Sequence, residues 1–324
     1  MRLMMPCAPM AGSKQAQSPR PFADSGNRIH VKLIIQARRG AALAAALMLA
    51  QAAAADESAP AADAGTSLQP KWELGVAAAA GAVPDYPASD NYSPQAIPFP
   101  YFAFRGRVFH SDENGARLQA NVRSNVELDV SGGAAFAAQS KSTGARVGMP
   151  DLDYLLELGP NLKITLDRPS PASRWLLELP LRAVASFSGL HAGYQGLVFN
   201  PDIGIHTRSL LGSRWNAYAD IGPDFASARY QQYFYQVEAQ YALPDRPEYL
   251  AHGGYFGSTL ELGAGHKLGQ HLRVFFYGRV DDYAGARSED SPLFKTTMGY
   301  SAFAGFSWSL WHSQENVSVL EEAP

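Results

Sequence analysis

The chain has 324 residues, of which 46% are hydrophobic, 11% aromatic and 18% charged, a composition too apolar for a disordered protein. Its formal charge of −3 is unevenly distributed, because residues 1–55 hold seven Lys and Arg but one acid, so the remainder carries −9. Such an acidic remainder excludes nucleic acid as a partner, since phosphates require a basic surface.

Residues 1–55 predict an export signal. Two arginines at 38–39 precede an apolar run at 40–50, and small residues follow it. This is the order of n-region, h-region and cleavage site in a secretory signal peptide. The run is too short to span a bilayer, and we place the signal cleavage near Ala55.

The segments on either side of this signal have no strand or helix pattern. Residues 1–30 fit no part of a signal, whereas Val31 begins an ordinary n-region, so we predict that translation starts at Val31; a genuine long pre-segment is the alternative. The only cysteine, Cys7, lies in this pre-segment, which leaves no disulfide or thiolate zinc site downstream. Residues 56–70 are a small, polar, flexible linker.

From residue 71 onward the hydrophobic pattern has a period of two. Between 121 and 131, and again between 173 and 188, polar and charged residues occupy one parity and apolar residues the other, which is the pattern of strands with one wet and one apolar face. The strands are longer than the usual five or so residues of globular sheets and match the nine to eleven that cross a bilayer. A soluble β-rich domain is the alternative; strand length, the export signal and aromatic usage favour a membrane barrel.

The predicted fold class is therefore all-β, a transmembrane antiparallel up-and-down β-barrel over residues 71–311 with a C-terminal tail at 312–324. Twelve strands are predicted, near 71–80, 98–110, 116–123, 125–138, 152–159, 161–168, 173–188, 196–209, 214–229, 254–267, 271–283 and 298–311. Ten result instead if 116–138 and 152–168 are each one strand; both counts are even, as is usual in bacterial barrels. The segments 84–97, 230–253 and 284–296 are predicted loops.

Charged residues on the polar parity are candidates for the lumen of such a barrel. They are Arg123, Glu127, Arg182, Arg273 and Arg279. Aromatic residues near the predicted strand ends, such as Trp72, Trp175 and Trp308, are typical of the interfacial girdles of outer-membrane barrels.

Four segments, in this order, resemble the MipA/OmpV family of outer-membrane proteins. They are a Trp72 strand with a turn at Tyr86, Ser89 and Asp90 followed by Pro98 and Pro100; a turn at Glu157, Gly159 and Pro160; a Tyr-rich loop at 234–255; and SPLF at 291–294 with the last strand. The resemblance covers about 71–311. It implies an outer-membrane barrel, and for one studied member an adaptor role between a peptidoglycan lytic transglycosylase and a class A penicillin-binding protein; outer-membrane lipid would be the other partner.

Motifs that would carry chemistry are weak, and we predict no catalytic, cofactor or metal site. The nearest histidines, His252, His266 and His271, lack metal-ligand spacing, and Ser258 beside them has no nucleophile motif. Acid pairs at 281–282 and 289–290 are interpreted as solvated residues rather than Ca²⁺ ligands. GAGHKLGQ at 263–270 superficially resembles a phosphate loop and is interpreted as a tight turn.

Three hypotheses for function follow, in descending order. The first is a non-enzymatic scaffold for cell-wall enzymes, as the family resemblance implies. The second is a narrow channel or porin for small solutes, lined by the five candidate lumen residues. The third is a hydrolase at the barrel rim, in which Ser258 would act with a histidine. Twelve strands enclose a lumen that side chains and loops can fill, which ranks the channel below the scaffold.

Overall fold

The structure is a computed structural model that describes residues 66–105, 109–112, 115–118, 120–123, 125–138, 140, 144–189, 191–269 and 271–320. Side chains at 66–68, 109–123 and 318–320 are excluded from this description. The predicted export signal, its cleavage near Ala55 and the Val31 start lie outside the described residues. No helix among the residues described has the length and hydropathy needed to cross a membrane.

Sixteen strands are found in the described part of the chain. They are β1 (Thr66–Pro70), β2 (Trp72–Pro84), β3 (Tyr92–Arg105), β4 (Phe109–Asp112), β5 (Gly115–Leu118), β6 (Ala120–Arg123), β7 (Val126–Ala135), β8 (Tyr154–Ser170), β9 (Ser173–Ser188), β10 (His191–Phe199), β11 (Asp202–Thr207), β12 (Trp215–Ala226), β13 (Gly254–Leu268), β14 (Leu272–Asp282), β15 (Met298–His312) and β16 (Asn316–Leu320). One α-helix, α1 (Ala228–Tyr235), and three 3-10 turns (Gly144–Arg146, Leu210–Gly212 and Ala239–Tyr241) lie between strands.

Strands β2 to β15 form a single antiparallel sheet that closes into a barrel. The first and last long strands, β2 and β15, pair with each other. On the other side of the wall, β5 pairs with β4 and continues almost directly into β6, which pairs with β7. Strands β10 and β11 likewise continue one another and share β9 and β12 as neighbours. The described wall therefore has twelve strand positions, and the predicted all-β barrel is confirmed.

The wall exposes apolar side chains on its outside and buries polar ones inside, the reverse of a soluble protein. On β9, for example, Trp175 and Leu181 are 38% and 45% exposed, whereas Arg174 and Ser186 are buried. On β15, Trp308 is 51% exposed and its neighbour Ser307 is buried. Apolar groups that face lipid need no partner, while polar groups inside find one another. The alternation seen in the sequence is thus the two faces of the barrel wall.

Strand β8 corrects one sequence prediction. Tyr154–Ser170 is one strand, whereas the sequence suggested two strands that met at a turn containing Gly159 and Pro160. Proline lacks an N–H for the ladder, and it is accommodated in the middle of β8, where Pro160 lies opposite Val130 of β7. A Cβ on Gly159 would lie 2.0 Å from the carbonyl oxygen of Leu181. Glycine therefore permits the close approach of the two backbones that keeps the strand continuous.

The count of twelve is nevertheless preserved, because the short strand β4 was not recognised as separate from β3. Two further differences concern the predicted loops. Strand β3 already begins at Tyr92, inside the predicted loop 84–97. Helix α1 begins at Ala228, in the last residues of the predicted strand 214–229, and ends at Tyr235, inside the predicted loop 230–253.

The two ends of the barrel differ. At one end the connections 85–91, 136–153, 227–253 and 283–297 are long, and the exceptions are the short turns that follow β4 and β9; the connections that follow strands running the other way are short. Both chain ends leave on the short-turn side, where β1 and β16 pair over five residues each and form a two-stranded ribbon. From the sequence, these segments are predicted to belong to a flexible linker at 56–70 and a C-terminal tail at 312–324. Lys71 and Glu315, 3.0 Å apart, form an ion pair at the base of this ribbon.

Candidate functional site

A chain of paired polar side chains lines the barrel interior from β8 to β14, and we call it the charge belt. Its members are Glu157, Arg182, Asn200, Asp224, Thr259, Glu261, Arg279 and Asp281. Arg279 is its centre, since Nη1 donates to Glu261 at 2.9 Å and Nε to Asp281 at 2.8 Å. Its Nη2 also lies 3.8 Å from Asp224. Asp224 and Asp281 are almost completely buried, and a buried carboxylate without such a partner would be strongly destabilising.

The belt continues through Arg182 on β9. Its Nε donates to Glu157 Oε2 at 3.1 Å, and its Nη2 donates to Asn200 Oδ1 at 2.7 Å. Asn200 in turn donates from Nδ2 to Asp224 Oδ1 at 2.5 Å. A continuous set of charge-assisted hydrogen bonds therefore connects neighbouring strands across half of the wall.

The belt lies between two cavities in the barrel interior. The cap cavity, next to the long loops, has a volume of 220 Å³, and the acidic cavity, nearer the short turns, has 170 Å³. Four belt residues line both cavities: Arg182, Asn200, Asp224 and Arg279. Phe136 and Phe303 also line the cap cavity, and their ring centroids are 6.0 Å apart although they follow or belong to strands on opposite sides of the wall. Side chains thus span the barrel at this level.

A second set of ion pairs lies beside the acidic cavity. Lys163 Nζ is 3.2 Å from Glu178 Oε1 and 3.6 Å from Asp129 Oδ2. His206 Nε2 is 2.8 Å from Asp220 Oδ1. The Lys163 contacts neutralise part of the negative charge at this level of the barrel.

The described residues of the four long connections, 85–91, 136–153, 227–253 and 283–297, pack together over one mouth of the barrel, and we call them the loop cap. Buried apolar side chains at its centre include Phe234, Tyr235, Val237 and Leu293. Tyr235 packs its ring 6.0 Å from Phe256 at the top of β13 and donates its hydroxyl to the Pro87 carbonyl at 3.0 Å. These side chains form a small hydrophobic core built from loop residues.

Two buried arginines bind the loops of the cap reciprocally. Arg246, in the 227–253 connection, donates to the carbonyls of Ala145 and Val147 at 3.0 and 2.9 Å. Arg146, in the 136–153 connection, donates to the carbonyl of Phe234 at 2.8 Å. Loop carbonyls have no strand partner, and buried ones require a donor. Each guanidinium supplies that donor to the other loop.

Burial also shifts the pKa values of tyrosine and arginine side chains in the loop cap. Burial raises the pKa of the Tyr233 phenol to about 12. It raises the pKa values of Tyr86 and Tyr235 as well, and it lowers the pKa of Arg146. In each case the neutral form is favoured because a charge is poorly solvated in a packed interior.

The family-motif turn lies within the cap. Tyr86 is buried and donates its hydroxyl to the Leu293 carbonyl at 2.7 Å. Ser89 is fully buried and accepts from the Asn91 N–H at 3.1 Å, whereas Asp90 is exposed and lines a surface hollow of 560 Å³. Tyr86 thus holds the first loop against the last, and Ser89 fixes the turn within the first loop.

The five candidate lumen residues are placed differently. Arg182 and Arg279 belong to the charge belt. Glu127 is half-buried on β7, opposite Lys163, and Arg273 lies opposite Lys267 near the short-turn end; both take part in polar or electrostatic contacts. The side chain of Arg123 lies outside the described part of the structure.

The residues considered for catalysis or metal binding do not come together. His252 precedes β13 at the cap end, whereas His266 stacks on Trp215 and His271 lies near His312 at the short-turn end. The Ser258 hydroxyl lies 2.8 Å from the Tyr255 hydroxyl. No group of three or more His, Cys, Asp or Glu in the described residues is arranged to hold a metal ion.

The acid pairs and the glycine-rich segment have structural contacts. Asp281 belongs to the belt, while Asp282 accepts from the Ala284 N–H at 3.0 Å. Glu289 accepts from the Gly285 N–H at 2.8 Å, and Asp290 is exposed. In GAGHKLGQ, the first six residues belong to β13 and Gly269 adopts a left-handed φ of 75° in the turn.

Sequence reasoning missed most of the belt and the arginines of the cap. Glu261 could have been found, because it alternates with Leu260 and Leu262 in an otherwise apolar strand. Asp224 could also have been found, because it lies in the predicted strand 214–229 on the parity opposite to Ile221 and Phe225. Asn200 could not, since it follows the last residue of β10. Arg146 and Arg246 are in loops, for which no periodic signal exists.

An apolar outer wall around a polar, filled interior defines this chain as an outer-membrane β-barrel protein. Residues 76–310 match the family described as MltA-interacting protein MipA, and the chain belongs to that family. The family resemblance seen in the sequence is thereby confirmed. No curated protein matches the chain significantly.

Solved outer-membrane proteins align with the chain at low identity. A bacterial polysaccharide outer membrane secretin is 10% identical with a TM-score of 0.36, and the alignment covers 76% of this chain and 100% of that one. The outer membrane phospholipase A of Escherichia coli is 10% identical with a TM-score of 0.30, covering 75% and 94%. The Escherichia coli outer membrane protease OmpT is 10% identical with a TM-score of 0.28, covering 75% and 98%. Such TM-scores carry no argument about function.

Proposed function

We propose that this protein is a non-enzymatic scaffold, which binds a peptidoglycan lytic transglycosylase and a class A penicillin-binding protein at the periplasmic end of the barrel. The observation that carries the proposal is the contrast between a filled interior and a polypeptide ribbon that extends from the short-turn end. The family description, MltA-interacting protein, supports a partner of the transglycosylase class.

The expected orientation supports the same side for the partner. Bacterial outer-membrane barrels have short periplasmic turns and longer extracellular loops, which puts the loop cap outside and the ribbon of β1 and β16 in the periplasm. Leu211, in the turn between β11 and β12 on this side, is 86% exposed. An exposed leucine and a ribbon with two open edges, both at this end of the barrel, are suitable contacts for another protein.

Site-specific photocrosslinking tests the proposal directly. A photoreactive residue at Leu211 or Glu315 should crosslink to the lytic transglycosylase in intact cells, and one at Leu250 should not. Leu250 is the matched control, because it is 57% exposed but lies in the loop cap at the opposite end. Equal crosslinking from all three positions, or none from Leu211 and Glu315, would contradict a periplasmic scaffold.

The penicillin-binding protein requires a separate measurement. Affinity purification after mild crosslinking should recover it with the barrel, and removal of the transglycosylase gene shows whether the two partners bind independently. Recovery no higher than with an unrelated barrel would remove this partner from the proposal.

The proposal also includes export by a cleaved signal and the absence of a catalytic role. Mass spectrometry of the mature N-terminus should give a start close to Asp56, and mutation of the Val31 codon should abolish synthesis if translation begins there. Purified refolded protein should hydrolyse neither phospholipid nor peptide; turnover that is lost in Ser258→Ala would restore the rim-hydrolase hypothesis.

A narrow channel is the second candidate, and the two interior cavities favour it. Its lining would include Arg123, Glu127, Arg182, Arg273 and Arg279. Planar-bilayer recording separates the two functions, since a scaffold with a filled interior should be silent. Steady conductance that changes its ion selectivity in Arg182→Gln would favour the channel instead.

A further inference from the structure

Four carboxylates face the acidic cavity as two cross-strand pairs of like charge. Asp202 of β11 lies directly opposite Glu178 of β9, and Asp220 of β12 lies directly opposite Glu261 of β13. All four line the cavity. Directly opposed residues of an antiparallel pair point to the same face, and like charges there are destabilising. Two such pairs at one level of a membrane barrel require a compensating positive charge.

The protein's own cations compensate this charge only in part. Five carboxylates line the cavity, the four above and Asp224, together with the guanidinium groups of Arg182 and Arg279. Lys163 neutralises Glu178 from beside the cavity. Counted in their ionised forms, these five carboxylates exceed the three cations Arg182, Arg279 and Lys163 by two charges. Asp202 is half-buried and pairs with Glu178 through the backbone ladder, but its carboxylate has no hydrogen bond or ion pair with any described residue.

Independent of the carboxylates, the lining offers oxygen atoms that lack a donor. Asn161 is 1% exposed and donates from its Nδ2 to Glu178. The Oδ1 atom of the same amide group is buried and has no partner among the described atoms. The buried Ser131 hydroxyl, also in the lining, has no described partner either. An unsatisfied buried acceptor is rare in a folded protein. Water or a hydrated ion in the cavity would satisfy both groups.

The volume of the acidic cavity and the spacing of its carboxylates favour a hydrated ion over one that is bound directly by protein oxygens. The cavity of 170 Å³ holds about five or six waters at about 30 Å³ each, close to the hydration shell of a small divalent cation. No three His, Cys, Asp or Glu of the described residues converge as direct ligands. Mg²⁺ gives up its waters reluctantly and is commonly held through them.

We propose that the acidic cavity binds one hydrated Mg²⁺ ion. Its water shell would donate to Glu178, Asp202, Asp220 and Glu261, and to the free Oδ1 of Asn161. The ion would stabilise the barrel by joining β9, β11, β12 and β13 where the charge belt alone leaves negative charge uncompensated. This inference does not depend on the scaffold function.

The test uses full-length mature protein refolded in a neutral detergent without lipopolysaccharide, because lipopolysaccharide itself binds Mg²⁺. Titration with MgCl₂ after EDTA treatment should raise the unfolding temperature saturably, and calorimetry should give one ion per barrel. Asp202→Asn should weaken the affinity about tenfold, as expected for a loss of about 1.4 kcal/mol, and Asp220→Asn should also weaken it. Asp290→Asn, which alters an exposed carboxylate of the cap, should leave it unchanged.

Several outcomes would overturn the proposal. One is an equal rise of the unfolding temperature with NaCl at matched ionic strength, which would indicate screening only. Another is identical Mg²⁺ affinity in wild type, Asp202→Asn and Asp220→Asn. A third is stabilisation by acidification but not by Mg²⁺, abolished in Asp202→Asn, which would show that a proton supplies the missing charge.

Discussion

The loop cap and the charge belt both fill the barrel, but they do so by opposite physical means. In the cap, apolar side chains such as Tyr235 and Leu293 are buried, and arginines satisfy backbone carbonyls. In the belt, Arg279 and its carboxylates satisfy one another. Loss of one cap residue leaves a cavity, whose cost is limited by its size. Loss of one belt residue leaves buried charge of the same sign. The belt should therefore be the more sensitive region.

Replacing Arg279 is expected to have the largest effect. Arg279→Met leaves Glu261, Asp281 and Asp224 without their shared cation, and breaking such a buried pair costs about 3–5 kcal/mol of unfolding free energy. Urea unfolding in detergent micelles, followed by heat-modifiable gel mobility, measures the loss. Arg214→Met, in an exposed short turn, is the control and should change stability by less than about 0.5 kcal/mol. Equal effects of the two changes would show that the belt contributes little.

Leu293→Ala should be the largest effect within the cap. Leu293 is fully buried, and its truncation is expected to cost about 3 kcal/mol. Because the wall keeps its own ladder of hydrogen bonds, the change should open the loops rather than unfold the barrel. Hydrogen exchange should quicken at 283–297 and stay slow in β14 and β15. Leu250→Ala, at an exposed cap position, should change neither; faster exchange throughout the wall in Leu293→Ala would mean that cap and barrel unfold together.

Arg246→Lys should loosen the cap without disturbing the belt. Lysine keeps the charge but has no planar fork to reach the carbonyls of Ala145 and Val147 together. A net loss of about 1.4 kcal/mol corresponds to about tenfold faster proteolysis of the 144–150 segment when opening is at equilibrium. Arg287→Lys, exposed in the same cap, serves as the comparison. Unchanged proteolysis in Arg246→Lys would argue against the reciprocal arginine contacts.

Alkaline pH should produce the smallest effect and confine it to the cap. The pKa of Tyr233 is raised to about 12 from an ordinary value of about 10, so between these values the unfolded loop loses a proton that the folded loop keeps. Stability of the cap therefore falls as pH rises through this range. Absorbance of tyrosinate should show late ionisation that Tyr233→Phe removes. Ionisation of all tyrosines near pH 10 in the folded protein would contradict it.

The sequence predicted the wall far better than the interior. Every strand that faces lipid on one side has a period of two, so the predicted strand 173–188 has the observed bounds of β9. The resemblance of Glu157, Gly159 and Pro160 to a family turn predicts a break between two strands, whereas Gly159 lets neighbouring backbones approach and β8 continues through it. The pairing of β1 with β16 left no signal, since a short polar ribbon has no apolar face to bury.

The cap and the complete belt were beyond sequence reasoning for a different reason. Their contacts join residues distant along the chain, such as Tyr86 with Leu293 and Arg146 with Phe234. Such contacts follow from the closure of the barrel, and no local pattern encodes them. Tyr86 and Ser89 were singled out only through the family resemblance, which located the turn but not its burial.

The ribbon of β1 and β16 has a consequence for the order of assembly. It prolongs the seam between β2 and β15, where the first and last strands of the barrel meet. Pairings between such distant segments form slowly, because their loop-closure entropy is the largest in the chain. Before β1 and β16 pair, only the hydrogen bonds between β2 and β15 oppose separation of the seam. After they pair, the hydrogen bonds of the ribbon oppose it as well. Pairing of β1 with β16 would therefore add backbone hydrogen bonds at the junction that is expected to form last.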